Sequence, residues 1–326
     1  MHNLNLESKK EKKVISVIGL IEVSAFLIFT FSVMALFSGL HLFLELVSHF
    51  RFQYAVFALF FGITLMICRH RKMALLMAVP VILNAIFIVP LYVKSAENSS
   101  LNHQSHTKLK VLLCNVNTSN TRYQKLIDLV HAEEPDILVL LEISTGWLDQ
   151  LDSIRESYPH MKAEPRSDNF GIAVFSRAPI KESHIEKFGP SDIPSIEAVI
   201  EFGTEILTLI ATHPLPPINQ RFYQSRNMQL IEVAEKIKNI KGPRILIGDL
   251  NMTMWSHDYS TLVTGTGLRN ARDGYGVLPS WPVFLPFMMI PIDHCLISSE
   301  LNVDHIRTGS NVGSDHLPLI VELSLN

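Results

Sequence analysis

The sequence predicts an α/β layered domain carried behind a bundle of three membrane-spanning helices. Three observations lead there. The chain is too apolar for an ordinary soluble enzyme: 48% of its 326 residues are hydrophobic and 18% are charged, where soluble domains carry roughly a quarter charged residues. The imbalance is local. Residues 1–94 hold 9 Lys/Arg against 4 Asp/Glu, net +5, and residues 95–326 hold 19 against 27, net −8. Beyond residue 108, short apolar runs alternate with segments of helical spacing, the pattern of layered strands and helices. The same composition excludes a disordered chain, which would be poor in apolar residues. Three cysteines exclude a disulfide scaffold.

The membrane domain is residues 1–94, with helices expected at 14–36, 52–68 and 73–93. A helix needs roughly 17–25 apolar residues to cross the bilayer core. The first run contains one charge, Glu22, and the other two contain none. The stretch between the first two is mixed, with His41, Glu45 and His49, and reads as an interfacial helix or a continuation of the first span. Lys9, Lys10, Lys12 and Lys13 precede the first span, and Arg69, Arg71 and Lys72 separate the second from the third. Basic clusters stay cytoplasmic, so everything beyond Val93 is expected outside the cytoplasm. A cleaved signal peptide fits less well, because the first run is long and further spans follow. Glu22, Pro80, Asn84 and Pro90 lie inside spans. Glu22 reads as a helix–helix hydrogen bond or a residue near the membrane face, since no second mid-span charge offers a relay. The bundle is read as an anchor.

Residues 95–108 form a polar linker, rich in Ser, Asn and His, whose His103 and His106 read as solvated. A flexible coil of this length spans only about 20 Å. Residues 109–326 suffice for one sizeable core. Strands are expected at 109–114, 137–141, 172–176, 196–202, 206–211, 244–247, 292–297 and 317–323, with helices at 123–132 and 224–240. Gly203-Thr204 marks a tight antiparallel turn. Parallel and antiparallel signals are mixed, so a doubly wound sheet fits poorly.

Polar residues at strand ends carry the functional argument. LKVLLC runs into Asn115, ILVLL into Glu142, ILTLIA into Thr212-His213, and RILIG into Asp249-Leu250-Asn251. Asp293-His294 opens one late strand, and Ser314-Asp315-His316 precedes another. If the late strands run antiparallel to the earlier ones, all six polar ends share one edge of the core, where α/β folds place active sites. Each such residue alone is more often a turn or cap; the joint pattern is more specific. Glu142, Asp249, Asp293 and Asp315 offer hard oxygen ligands suited to Mg²⁺, with Mn²⁺ as the alternative. No zinc motif, phosphate loop, dinucleotide fingerprint or serine-hydrolase elbow is present. Carboxylates, histidines and side-chain amides together suit metal-assisted attack of water on a phosphate ester.

The segments CNVN (114–117), LLEI (140–143), DNFGIAVFSR (168–177), THPLPP (212–217), IGDLN (247–251), PIDHCLIS (291–298) and GSDHLP (313–318) resemble, in order, the motifs of the endonuclease/exonuclease/phosphatase superfamily. This group has the DNase I-like fold and includes DNases, abasic-site endonucleases, sphingomyelinases and inositol-phosphate phosphatases. The resemblance covers residues 108–326. It implies a four-layer α/β sandwich and Mg²⁺-dependent phosphoester hydrolysis without a covalent intermediate. By the matching motifs it implies metal-site roles for Asn115 and Glu142, with Asp315 as a further metal contact. Asp249 stands near water and metal, Asn251 and His316 on the phosphate, and Asp293 orients His316. His213 is a candidate general acid and Asn169 a substrate contact. Asn117 departs from the residue many members carry. The three-span leader resembles bacterial membrane-tethered members, which implies the inner (cell) membrane with the catalytic domain on the periplasmic or extracellular side.

The acidic catalytic half lacks the basic footprint of a nonspecific nucleic-acid binder, so a lipid or other phosphoester is favoured slightly over nucleic acid. The competing readings are an extracytoplasmic nuclease and an inactive membrane sensor. Residues 275–290 are apolar and proline-rich, and include Trp281, Phe284, Phe287, Met288 and Met289. They read either as core-packed strand and loop or as a surface for the lipid bilayer or an acyl chain, with Trp281 a substrate contact. No protein partner is inferred. Cys114 and Cys295 read as buried inert thiols, or as a disulfide if their strands are neighbours.

Overall fold

The computed structural model of the chain describes residues 16–93 and 108–325. The basic cluster at Lys9–Lys13, the start of the first span, and the linker histidines His103 and His106 lie outside the described residues. The first helix, α1 (Val17–Met34), is capped by Ser16, whose Oγ accepts from the Gly19 amide at 3.0 Å. After a 3₁₀ turn, α2 (Leu42–Ser48) starts at His41, whose Nδ1 accepts from the Phe43 amide. It turns by 61° into α3 (Arg51–Ile67). Then α4 (Arg71–Leu76), α5 (Ala78–Ile88) and a 3₁₀ turn form one apolar rod, Arg71–Tyr92. That rod and Val17–Phe37 are long and apolar enough to cross a membrane, and the bent α2–α3 pair makes a third if counted as one span.

Polar residues of these apolar helices pair between helices. Glu22 Oε1 meets His70 Nδ1 at 2.7 Å. Asn84 Nδ2 donates to Ser32 Oγ at 2.9 Å and to the Pro80 carbonyl at 2.8 Å, while Arg51 donates to the Ala35 carbonyl at 2.7 Å. These bonds satisfy polar groups set among apolar side chains.

The rest of the chain alternates strands and helices. The first sheet takes β1 (Lys108–Asn115), β2 (Ile137–Leu141), β3 (His160–Glu164), β4 (Ile172–Ser176), β11 (Leu301–Thr308) and β12 (Leu319–Leu325), in the order β11-β12-β1-β2-β4-β3. The second takes β5 (Ile180–Lys187), β6 (Pro194–Phe202), β7 (Glu205–Thr212), β8 (Arg244–Asp249), β9 (Arg269–Asn270) and β10 (Asp293–Ile297), in the order β5-β6-β7-β8-β10-β9. β1 with β2 and β7 with β8 are parallel, and the other pairings are antiparallel.

Alternation of side chains across each strand builds three apolar layers. Val111, Val139 and Val174 meet Ile196, Leu209 and Ile247 between the sheets. The outer face of the first sheet, through Leu112, Leu138 and Phe175, packs on α6 (Tyr123–Glu133), α7 (Thr145–Gln150) and α8 (Asp152–Arg155). The outer face of the second, through Ile210, Leu246 and Leu296, packs on α9 (Gln220–Lys238) and α10 (His257–Thr266). The result is the expected four-layer α/β sandwich.

Some elements differ from the sequence reading. β3, β5 and β11 were not expected. β3 and β5 are half-exposed edges, and β11 is an edge strand whose middle is exposed, so none reads as a continuous apolar run. Residues 275–290 form no strand; they hold a 3₁₀ turn and one isolated bridge, Trp281 to Ile290. The disulfide alternative does not hold. Cys114 faces the outer helices and Cys295 the space between the sheets, and both are free and buried. Burial pushes both thiols up, Cys295 to about 12.

The N-terminal apolar helices and the sandwich share a core. Ile88 and Leu91 pack with Trp255 and Val277, and the Gly276 amide donates to the Leu91 carbonyl at 2.7 Å.

Candidate active site

Strand direction brings the polar ends together. In the antiparallel register of β8 and β10, Asp249 stands opposite Asp293. β12 runs antiparallel to β1, so Asp315 and His316, just before it, return to the edge where Asn115 ends β1. The edge is buried: Asn115, Asp249, Asp293, His213 and His316 are all under 5% exposed.

Two loops repeat one device. Asn115 Oδ1 accepts the Asn117 amide at 3.1 Å, and Asp249 Oδ1 accepts the Asn251 amide at 2.9 Å. Asn117 and Asn251 sit at φ 61° and 52°, a region asparagine tolerates better than most residues. This explains why CNVN and GDLN look alike. Glu142 and Asn169 also have positive φ, 59° and 69°, so left-handed backbone is concentrated here, as is common at functional sites. Gly248 is required by space: a Cβ there would stand 1.8 Å from the Thr212 carbonyl oxygen.

One amide group ties the centre together. Asn115 Nδ2 lies 2.9 Å from Glu142 Oε1, 3.4 Å from Asp249 Oδ2 and 3.4 Å from His316 Nε2. His316 Nδ1 bonds Asp293 Oδ2 at 2.8 Å, and its Nε2 lies 3.6 Å from Asp249 Oδ2. Burial opposes a charge on His316, but the Asp293 and Asp249 carboxylates win and push its pKa up to about 10. His213 Nε2 stands 3.5 Å from Asp249 Oδ2. Burial again opposes its charge, and Asp249 raises its pKa on balance. Asp293 is costly to bury, yet His316 holds its carboxyl below the usual range.

Asp315 also faces the site. Asn117 Nδ2 donates to its Oδ1 at 2.8 Å and Trp281 Nε1 to its Oδ2 at 3.0 Å. Asn251 turns its Nδ2 to the Pro214 carbonyl at 2.9 Å. Asn169 is exposed at the rim, beside Phe170, whose ring lies 5.5 Å from that of His213. All ten expected site residues therefore gather at one edge. A cavity of about 460 Å³ opens there, lined by eight of them, including Glu142, Asp249, His316 and Trp281; Asp293 is not part of the lining. Asn115 lies behind it as the hub.

Several residues at the site escaped the sequence reading. Arg272, fully buried, donates to the Asp293 carbonyl, and its Nη1 meets His294 Nδ1 at 3.2 Å. Arg226 of α9 donates to the Asn251 carbonyl at 2.9 Å. From α2, Glu45 meets Arg226 at 2.7 Å and accepts from Ser256 Oγ at 2.9 Å, and His49 Nδ1 meets Thr253 Oγ1 at 3.1 Å. Charged residues on an apolar hairpin are the one signal the sequence offered for them.

The ligating atoms of Asp249, Asp293 and His316 lie within 4.8 Å of one another, a spacing that fits a metal ion. The Asp293–His316 bond engages those two side chains with each other. Glu142 and Asp249 fit a divalent cation by charge: among the described residues neither is salt-bridged to Lys or Arg, and both lean on one neutral amide.

A two-sheet sandwich with buried acids, amides and histidines at one edge defines a phosphoester hydrolase. The chain belongs to the endonuclease/exonuclease/phosphatase family, whose profile matches residues 112–316. Members of that family are metal-dependent hydrolases of phosphoester bonds. Solved structures share the fold. TDP2 of D. rerio, in complex with a single-strand DNA product, is 20% identical, with TM-score 0.56 over 67% of this chain and 99% of that one. The human Nocturnin catalytic domain, with bound sulfate, is 19% identical, with TM-score 0.57 over 67% and 95%. Sphingomyelinase C of Streptomyces griseocarneus is 17% identical, with TM-score 0.51 over 67% and 99%. A search of curated protein sequences finds no match.

Proposed function

We propose that the chain is a membrane-anchored, extracytoplasmic, Mg²⁺-dependent phosphoesterase. It cleaves a phosphodiester or phosphomonoester by direct attack of water, with a lipid or other phosphoester favoured over nucleic acid. The observation that carries this reading is the set Glu142, Asp249 and His316 lining the cavity, with the buried Asp293 bonded to His316 behind them. Three spans put both basic clusters on one side and the sandwich on the other, which the positive-inside rule makes extracytoplasmic.

Glu142, Asn115 and Asp249 would hold the cation, with Asp315 completing the acidic side. Bound there, Mg²⁺ would polarise the phosphoryl oxygens and neutralise charge. His316 sits between Asp293 and Asp249, an arrangement that favours the imidazolium. Its Nδ1 proton is held by Asp293 Oδ2, which leaves the Nε2 proton for a phosphoryl oxygen. A histidine already protonated is a poor base, so Asp249 takes the water proton. His213, raised by Asp249, delivers a proton to the leaving oxygen. Asn251 fixes the phosphate, and Asn169 and Trp281 contact the rest of the substrate.

The nuclease reading is weakened by the net −8 of residues 95–326, and the inactive-sensor reading by a complete set of acids and histidines. The test is turnover by the full chain in lipid nanodiscs. DNA, RNA, phospholipids and sugar phosphates are offered with Mg²⁺ and with EDTA. EDTA-sensitive hydrolysis of a phospholipid is expected; EDTA-sensitive hydrolysis of nucleic acid alone would replace the lipid reading with the nuclease one. No turnover on any would favour the sensor.

A further inference from the structure

The catalytic cavity is two-faced. Its floor is Glu142, Asp249, Asp315 and His316, and one wall belongs to the membrane hairpin: Leu46 and His49 of the α2 turn line the same cavity. Pro217 and Ile218 line it too, and Ile218 is 73% exposed. Among the described residues that line the cavity, none is Lys or Arg. A nucleic-acid strand would need cationic groups along its backbone; this wall offers hydrocarbon instead.

The hairpin is locked to the catalytic loops. The buried Glu45–Arg226 pair and the His49–Thr253 bond hold α2 against residues 251–256. Phe43, half exposed, stands about one helical turn before the wall residue Leu46, itself 36% exposed, so α2 carries exposed apolar side chains up to the cavity. His49 is 4% exposed, and its Nε2 finds no partner among the described residues.

We propose that α2 is a wall of the active site and that the substrate is an amphiphilic phosphoester drawn from the bilayer, its apolar part lying against Leu46 and Ile218. This rests on the phosphoesterase reading above and names the substrate class for that site. A bilayer lipid enters along α2 with its phosphate reaching the floor and its chain staying in apolar surroundings. Nothing in this requires the lipid to leave the membrane completely.

The test separates binding from turnover. Octyl phosphate and inorganic phosphate are titrated against the full chain in nanodiscs, with Mg²⁺ present, by calorimetry. Empty nanodiscs correct for partition of octyl phosphate into lipid. The wild-type chain is expected to prefer octyl phosphate at least 30-fold. In Ile218→Asp and in Leu46→Asp that preference is expected to fall at least tenfold. Ile218 is exposed on a loop, so its variant keeps the test valid if Leu46→Asp fails to fold. Equal affinity for the two phosphates, or an undiminished preference in Ile218→Asp, would overturn the proposal. In parallel, the ratio of phospholipid to aryl phosphodiester hydrolysis is expected to fall in the same variants. A chain that shows the octyl preference but no EDTA-sensitive turnover contradicts the phosphoesterase reading and leaves the amphiphile site standing. One that turns over the soluble ester without the preference does the reverse.

Discussion

Glu45 of helix α2 and Arg226 of helix α9 form a fully buried ion pair, Oε1 to Nη2 at 2.7 Å. The same guanidinium holds the Asn251 carbonyl and meets Asp258 at 3.1 Å. The N-terminal apolar helices and the sandwich are thus joined directly beside the loop that carries Asp249.

Removing Glu45 is the first prediction. Breaking a buried pair costs about 3–5 kcal/mol, and the remaining Asp258 contact places Glu45→Ala at about 3 kcal/mol or below. Turnover is expected to fall as well, because Arg226 positions Asn251. Replacing both partners, Glu45→Leu with Arg226→Met, is expected to recover part of the stability without recovering turnover. Thermal unfolding and initial rates in nanodiscs decide it. An unshifted unfolding temperature in Glu45→Ala would show that the pair contributes nothing.

The metal gives the second prediction. EDTA is expected to abolish turnover and Mg²⁺ to restore it. Glu142→Gln removes one of the carboxylates that would hold the cation and is expected to raise the Mg²⁺ concentration for half-maximal rate at least tenfold. Bound metal also stabilises the fold by mass action, about 2.7 kcal/mol at a hundredfold excess over Kd. A Glu142→Gln titration that overlays the wild type would remove Glu142 from the metal site.

Asp293→Asn is the third. Asp293 touches His316 and not the cavity floor's free carboxylates, so it acts through the histidine. Losses at such supporting positions run about 10–100-fold, smaller than for His316 itself. The rate ratio of Asp293→Asn to His316→Ala measures this, and a loss as large as that of His316→Ala would give Asp293 a direct role.

The fourth concerns pH. The folded pKa of His316 lies above its unfolded value, at about 10 against 6.5. Its ion pair therefore stabilises the protein fully below the unfolded value, and that contribution is lost as pH rises through about 10. Measured in EDTA, the stability gap between wild type and His316→Gln is expected to shrink from pH 6.5 towards pH 10. A gap that widens over that range would contradict the assigned charge.

Much of this site was legible because burial makes strands apolar and chemistry makes their ends polar. LKVLLC into Asn115 and RILIG into Asp249 each state a strand and a site residue in one line of sequence. The antiparallel return of β10 and β12 then put Asp293 and His316 on the same edge. What stayed hidden depends on distant partners. Arg226 reads as the polar face of an amphipathic helix until Glu45, 181 residues earlier, is placed against it. β5 carries KESHIEK, half-exposed at a sheet edge, so it lacks the apolar run that reveals a buried strand. Residues 275–290 divided between both readings: Trp281 turns in to Asp315 while Phe284 and Phe287 stay 73% and 65% exposed.

The most direct test of the central claim is the rate of Mg²⁺-dependent phosphoester hydrolysis by the full chain beside His316→Ala and Asp249→Ala, all in nanodiscs and all checked for folding. Losing a charge-stabilising donor or an acid–base group costs on the order of 10²–10⁴-fold. The account predicts losses of that size in both variants with the sandwich intact. Wild-type-like turnover in either folded variant would contradict it.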